Sequence, residues 1–319
     1  MAWRLTITQN ITNSPVKLIS TFMVHYKNGN YHVIILPDGT KIRHTEEDEF
    51  YPVFPESIDV KVTNYCDLGC KYCHENSTIK GKHADLEALL KQIDLLPAGV
   101  ELAIGGGNPL SWPDLSAFLV FAESKGLICN LTVNQGHLIQ YRDEITELVS
   151  LGWVKGIGVS ITQKSLFNTK WLTDISPHVV FHVIAGVNPI NVLEQVKAFT
   201  DKPKTLILGY KTFGRGVGYK DSSVEGSLLE WKEKLPEYLG KQHLSFDNLA
   251  LEQLEVQKLL PTEVWDKMYM GDDFTHTMYI DTVKQQYAPT SRSESRMSFS
   301  NMDVLEFFQN YKGGVTCEK

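Results

Sequence analysis

Ile58-Asp59-Val60-Lys61-Val62-Thr63-Asn64-Tyr65-Cys66-Asp67-Leu68-Gly69-Cys70-Lys71-Tyr72-Cys73 runs an apolar–polar alternation straight into three closely spaced cysteines. The alternation reads as a strand, and the Cys-x3-Cys-x2-Cys run after it reads as a tight loop carrying three thiolates. Three thiolates can hold three irons of a four-iron cluster, which normally takes four protein thiolates, so one iron would stay open. The same cysteines with His74 as a fourth ligand could instead form a structural zinc site. Against zinc stand the lack of a second Cys/His pair nearby and the strain of bringing adjacent Cys73 and His74 to one tetrahedral ion. Of the five cysteines, Cys129 and Cys317 are isolated from the cluster. An odd, clustered set is a poor disulfide framework and points to a reducing compartment, the cytoplasm.

Outward from this loop the chain alternates short apolar runs with amphipathic stretches. Strand-like runs fall at 58–62, 100–104, 127–133, 156–161, 179–184 and 205–209, with helices expected at 85–93, 113–125, 137–150 and 190–200. Asp85 is placed to cap the first of these helices. Apolar strands separated by helices predict a parallel sheet covered by helices, either an open doubly wound sheet or a barrel.

Residues 1–56 read as a β-rich extension. Strands at 31–36 and 40–43 flank Pro37-Asp38-Gly39, a hairpin signal because glycine accepts the positive φ of the turn. The division is then 57–220 for the core and 221–319 for a C-terminal α+β cap and tail. The cap is expected to hold helices at 227–239 and 251–259, a short apolar run at 244–246, a strand pair at 277–281 and 285–289, and a helix at 303–309. The Ser- and Arg-rich stretch 288–300 reads as a loop.

At 42% hydrophobic and 22% charged over 319 residues, the composition is that of a globular protein and excludes disordered, collagen-like and coiled-coil classes. The formal net charge is −7 and no basic run occurs, which argues against nucleic-acid partners and anionic membranes. No uninterrupted apolar stretch of about 18 residues suggests a membrane span. The start, Met1 to Thr8, alternates like a strand and has no basic segment ahead of an apolar block.

The cysteine run resembles the signature of the radical S-adenosylmethionine (radical SAM) superfamily, and the resemblance extends over about residues 57–215. It implies a partial (β/α)6 TIM-like barrel with one [4Fe-4S] cluster on Cys66, Cys70 and Cys73. S-adenosylmethionine (SAM) would chelate the open iron and be cleaved to a 5′-deoxyadenosyl radical that abstracts hydrogen from a substrate. An electron donor such as flavodoxin or ferredoxin is implied with it. Tyr72 matches the aromatic that packs against adenine. Gly105-Gly106-Gly107-Asn108-Pro109 resembles the Gly-Gly-Glu-Pro turn whose backbone approaches the SAM amino group, with Asn108 in place of Glu. Asn134 in Val133-Asn134-Gln135-Gly136, the hydroxyls of Ser160 and Thr162, and Ile184 fall where family strands end near SAM. Strand termination for the first three, and core packing for Ile184, are the alternatives.

After the sixth strand, Lys211 and Arg215 are candidates to meet a substrate carboxylate or peptide carbonyl, since Arg presents a forked donor. Asp247 and Asn248 are similar candidates, and His74 and Glu75 flank the cluster loop. Cys129 reads as a buried hydrophobe, and with Cys317 it is too little for a second cluster. In family enzymes that act on ribosomally made peptides, an N-terminal β element often pairs its exposed edge with an extended leader; the resemblance implies that the hairpin at 31–43 does this or else plugs the bottom of the barrel, and a peptide or protein substrate is expected. A small molecule or nucleotide is the second expectation. A non-catalytic zinc-stabilised binding module is the third.

Overall fold

The computed structural model describes residues 3–4, 24–162, 172, 174, 176, 178–199 and 204–311. Cys317 and most of the strand-like start lie outside the described residues.

A ten-stranded sheet organises the chain in the order β11-β10-β9-β8-β7-β6-β5-β12-β13-β14. Its members are β5 (Ser57–Thr63), β6 (Glu101–Gly106), β7 (Ile128–Asn134), β8 (Gly156–Ser160), β9 (Val179–Ile184), β10 (Lys204–Leu208), β11 (His243–Phe246), β12 (Thr277–Asp281), β13 (Gln286–Ala288) and β14 (Met297–Ser298). Pairing is parallel from β11 to β12 and antiparallel from there to β14. The edges do not pair among the described residues, so the sheet forms a partial TIM-like barrel. The stretch 221–319, read from sequence as an appended cap, puts β11 beside β10 and β12 beside β5, in one sheet with the core.

Period-two patterning explains which side chains face which way. Ile58, Val60, Val62, Leu102, Ile104, Leu131 and Val133 point outward into one apolar core with Leu89, Ile93, Phe118 and Leu119 of the covering helices. The alternate residues, including Ser57, Asp59, Lys61 and Thr63 of β5, line the inside. Helix Leu86–Ile93 starts at Asp85, whose carboxylate accepts Ala88 N–H at 2.9 Å. The helix expected at 137–150 is two helices, Gln135–Gln140 and Arg142–Ser150, broken at Tyr141. The first begins early because Asn134 caps it, accepting Gly136 N–H at 2.8 Å. The helix expected at 227–239 runs Ser222–Lys234, since Asp221 caps it and Pro236 follows its last turn.

The N-terminal extension is a second sheet of order β1-β4-β3-β2, with β1 (Trp3–Arg4), β2 (Val24–Asn28), β3 (Tyr31–Ile35) and β4 (Thr40–His44). Gly39, at φ 84°, turns β3 into β4. Tyr31, Val33 and Ile35 pack on Ile128, at the amino end of β7, so this sheet lies against the barrel floor. A buried charge network fixes it there. Glu56, fully buried, accepts Arg43 Nε at 2.6 Å, Arg43 Nη2 at 2.8 Å and Tyr31 Oη at 2.7 Å, with Lys41 Nζ at 3.3 Å. Lys41 also pairs with Glu101 of β6.

Candidate active site

The cysteine loop leaves the carboxyl end of β5 and is held along its length. Thr63 Oγ1 accepts Tyr65 N–H at 2.9 Å and starts the turn. Cys66 N–H donates to Thr78 O at 3.0 Å and Asn64 N–H to Lys82 O at 2.8 Å, tying the loop to the returning chain. Asp67 Oδ1 lies 2.6 Å from Nε2 of buried His137, a hydrogen bond that lowers the Asp67 pKa. Cys66, Cys70 and Cys73 are half-buried free thiols. Burial pushes the Cys66 and Cys70 thiols up, and neighbouring thiols add to the rise. Three thiols on one loop within electrostatic reach of one another are a donor set suited to a cationic iron core.

The glycine turn at the end of β6 presses on this loop. Gly107 N–H donates to Thr63 O at 2.8 Å and Asn108 N–H to Tyr65 O at 2.6 Å. A methyl group on Gly106, at φ 117°, would overlap the Thr63 carbonyl oxygen, and one on Gly107 would overlap that of Tyr65. Gly106 and Gly107 are therefore required by the cysteine loop itself. Gly105 differs: a Cβ there would meet only Thr132 Cβ, at 3.7 Å, so its inner face borders open space. Asn108 is fully buried, its Oδ1 accepts Leu110 N–H at 3.2 Å, and its Nδ2 has no partner among the described residues. It acts as a cap on the turn Pro109–Ser111.

Asn134 reaches the cysteines directly, with Nδ2 3.8 Å from Cys70 Sγ, and its Oδ1 accepts Thr162 Oγ1 at 3.1 Å. Ser160 stands beside Asn134 in register, at the end of β8. Ile184 ends β9 half-buried, its N–H donating to Asn188 Oδ1 at 2.9 Å. The Tyr72 ring packs edge-on against Tyr219, centroids 5.6 Å apart.

Three of the candidate substrate residues are placed differently from one another. Arg215 is a strut of the loop: Nε donates to Cys70 O at 2.8 Å, Nη1 to Ser77 O at 2.9 Å, and its own N–H to Cys73 O at 3.0 Å. Asp247 caps helix Asn248–Gln253, accepting Ala250 N–H at 2.7 Å and Gly209 N–H at 2.9 Å. Lys211 alone enters the barrel mouth, where Nζ donates to Ser291 Oγ at 2.9 Å. That contact holds the Ser- and Arg-rich stretch over the barrel; within it Met297–Ser298 forms β14.

Sequence reasoning missed a charged wall on the inner face of β5 and β12. Lys61 Nζ bridges Glu75 Oε2 at 2.6 Å and Asp281 Oδ2 at 3.3 Å, and Tyr279 Oη donates to Glu75 Oε1 at 3.1 Å. The alternation of β5 signalled a polar face, but the pairing with β12 comes from 220 residues away.

This fold and cysteine loop fit a radical SAM domain. Residues 60–165 match the model of the radical SAM superfamily, so the chain carries such a domain. The fold is similar to that of Streptococcus suis SuiB bound to precursor peptide SuiA, with TM-score 0.59 and 14% identity over 84% of this chain and 68% of that one. SuiB bound to S-adenosylmethionine gives TM-score 0.57 and 13% identity over 83% and 68%. A histidine-tagged anSMEcpe with bound AdoMet gives 0.50 and 13% over 79% and 80%. At these identities the likeness is one of fold. No curated protein matches the sequence. No helix among the described residues is long and apolar enough to cross a membrane.

Proposed function

We propose that the chain binds one [4Fe-4S] cluster on Cys66, Cys70 and Cys73, cleaves SAM reductively, and abstracts hydrogen from a peptide or protein substrate. The observation that carries this is the set of three half-buried thiols on one tethered loop at the carboxyl ends of parallel strands, where α/β folds place their sites. Cluster and SAM together supply the electron transfer that generates a 5′-deoxyadenosyl radical. The chain's own residues orient and enclose. Arg215, His137 and the Gly107 amide fix the loop, Asn134 bears on Cys70, and Gly105 leaves room for close approach of a ligand to the backbone. Ser160, Thr162 and Ile184 edge the same strand ends.

The peptide reading is supported by the precursor peptide bound to SuiB, a protein of similar fold. It is also supported by β2, which pairs only with β3 among the described residues and so offers an edge to an extended chain.

The test is anaerobic reconstitution with iron and sulfide, an iron count, reduction, addition of SAM and assay of 5′-deoxyadenosine. About four irons per chain and accumulating deoxyadenosine are expected, both abolished when the three cysteines become Ala. Retained SAM cleavage in that triple variant would sink the assignment, and zinc in place of iron would point to a binding module.

A further inference from the structure

The outer face of the N-terminal sheet carries histidines on three neighbouring strands. His25 of β2, His32 of β3 and His44 of β4 are all exposed. His32 stands directly opposite His44, and His25, opposite Ile34, is its diagonal neighbour on the other side. Period two turns all three side chains away from the face of Tyr31, Val33 and Ile35, which packs on the barrel. Cβ atoms directly opposite one another across an antiparallel pair are about 4.5–5.5 Å apart, so His44 reaches the same patch of surface as His32.

Two of the imidazoles already meet. His25 Nε2 lies 3.1 Å from His32 Nδ1, with ring centroids 5.2 Å apart. Neither ring has another hydrogen-bond or ion-pair partner among the described residues, and the His44 ring has none. Exposed rings have water to bond with, so a hydrogen bond between them gains little by itself. Two nitrogens bound to one tetrahedral zinc at about 2.0–2.1 Å stand roughly 3.3–3.4 Å apart, close to the separation found here. Glu46, Glu47, Asp48 and Glu49 follow β4 directly, all exposed, and give this end of the sheet a negative potential. Lys27, opposite His32 on β2, works against it but is exposed and can keep its ammonium in water.

We propose that His25 and His32, completed by His44, bind a divalent transition-metal ion of the zinc class, with water in the fourth position. Imidazole nitrogens suit zinc, copper and nickel, whereas magnesium and calcium prefer oxygen ligands. An ion held there staples the edge strand β2 to β3 and β4. The site is separate from the cysteine loop, which leaves the carboxyl end of β5, and it does not rest on the cluster reading.

The test is zinc binding by equilibrium dialysis to the untagged full chain carrying Cys66→Ala, Cys70→Ala and Cys73→Ala, which removes the loop thiols as competing ligands. About one zinc per chain is expected, without competition from magnesium. His25→Ala and His32→Ala should each weaken binding at least about tenfold, and His44→Ala severalfold. Copper(II) bound to the same chain should show three imidazole nitrogens by electron paramagnetic resonance, falling to two in His44→Ala. Undiminished zinc binding in the His25→Ala/His32→Ala double variant, an unchanged nitrogen count in His44→Ala, or no saturable binding up to about 1 mM zinc would overturn the proposal. Exposed rings can be removed without disturbing a core, and circular dichroism keeps lost ligands apart from a lost fold. Failure of the radical SAM reading would appear separately, as missing iron and missing deoxyadenosine in the unmodified protein.

Discussion

The floor and the mouth of the barrel handle charge in opposite ways. At the floor, Glu56 is fully buried and met by Arg43, Lys41 and Tyr31, with Lys41 shared with Glu101. At the mouth, three half-buried thiols share one loop and raise one another's pKa, and Gly105 faces open space. A satisfied buried network holds two parts of a protein in one arrangement; unsatisfied groups facing a cavity are where a ligand can gain free energy. The difference separates residues that hold the molecule together from residues that wait for something.

The largest break in that contrast should come from Glu56→Ala, which strands Arg43 in the interior and leaves Lys41 to Glu101 alone. A loss on the order of 3–5 kcal/mol in urea unfolding is expected. Glu56 also sets a pH dependence. Burial alone would raise its pKa, but Lys41 and Arg43 hold it well below the ordinary carboxylate range. Its stabilising contribution is therefore complete above about pH 4.3 and is lost as pH falls below that. Glu56→Gln should flatten this acid limb of the stability curve; an unchanged limb would show that the network is not what fastens the floor.

Next in size is Gly107→Val. Its side chain would overlap the Tyr65 carbonyl oxygen, so iron loading and SAM cleavage should fall together. Arg215→Ala should follow, loosening the cysteine loop by roughly 1.5–3 kcal/mol as charge-assisted bonds to the Cys70 and Ser77 carbonyls are lost. The readout is faster iron loss to a chelator, with the secondary structure intact by circular dichroism. Unchanged iron retention would return Arg215 to the list of substrate contacts. The smallest effect belongs to Gly105→Val, where SAM affinity should drop several-fold while the iron count stays put. Equal loss of both would mean that Gly105, like Gly106 and Gly107, serves the loop.

Much of this site was legible in the sequence because it is local. The cysteine spacing, the glycine turn and Asn134 sit within a few residues of a strand end, so alternation and motif place them together. Arg215 and Asp247 were legible as polar residues after strands, yet their roles as strut and cap depend on carbonyls and amides that only the fold brings near. Asn108, in the position of a family glutamate, is fully buried and caps a turn. The inner wall was hidden for another reason. Ser57, Asp59, Lys61 and Thr63 look like the wet face of a half-buried strand, and a curled sheet turns that face inward. The places of β11 and β12 in the main sheet are likewise set by long-range pairing that no local pattern encodes.

The clamp from Arg215 to Cys70 spans 145 residues of chain. During synthesis the three thiols leave the ribosome long before the strut that steadies them, a lag of about 7–30 s at roughly 5–20 residues per second. On the proposed cluster assignment, stable loading is thus a late event, tied to emergence of Arg215 rather than of the motif. Arrested nascent chains should retain iron only once Arg215 has emerged.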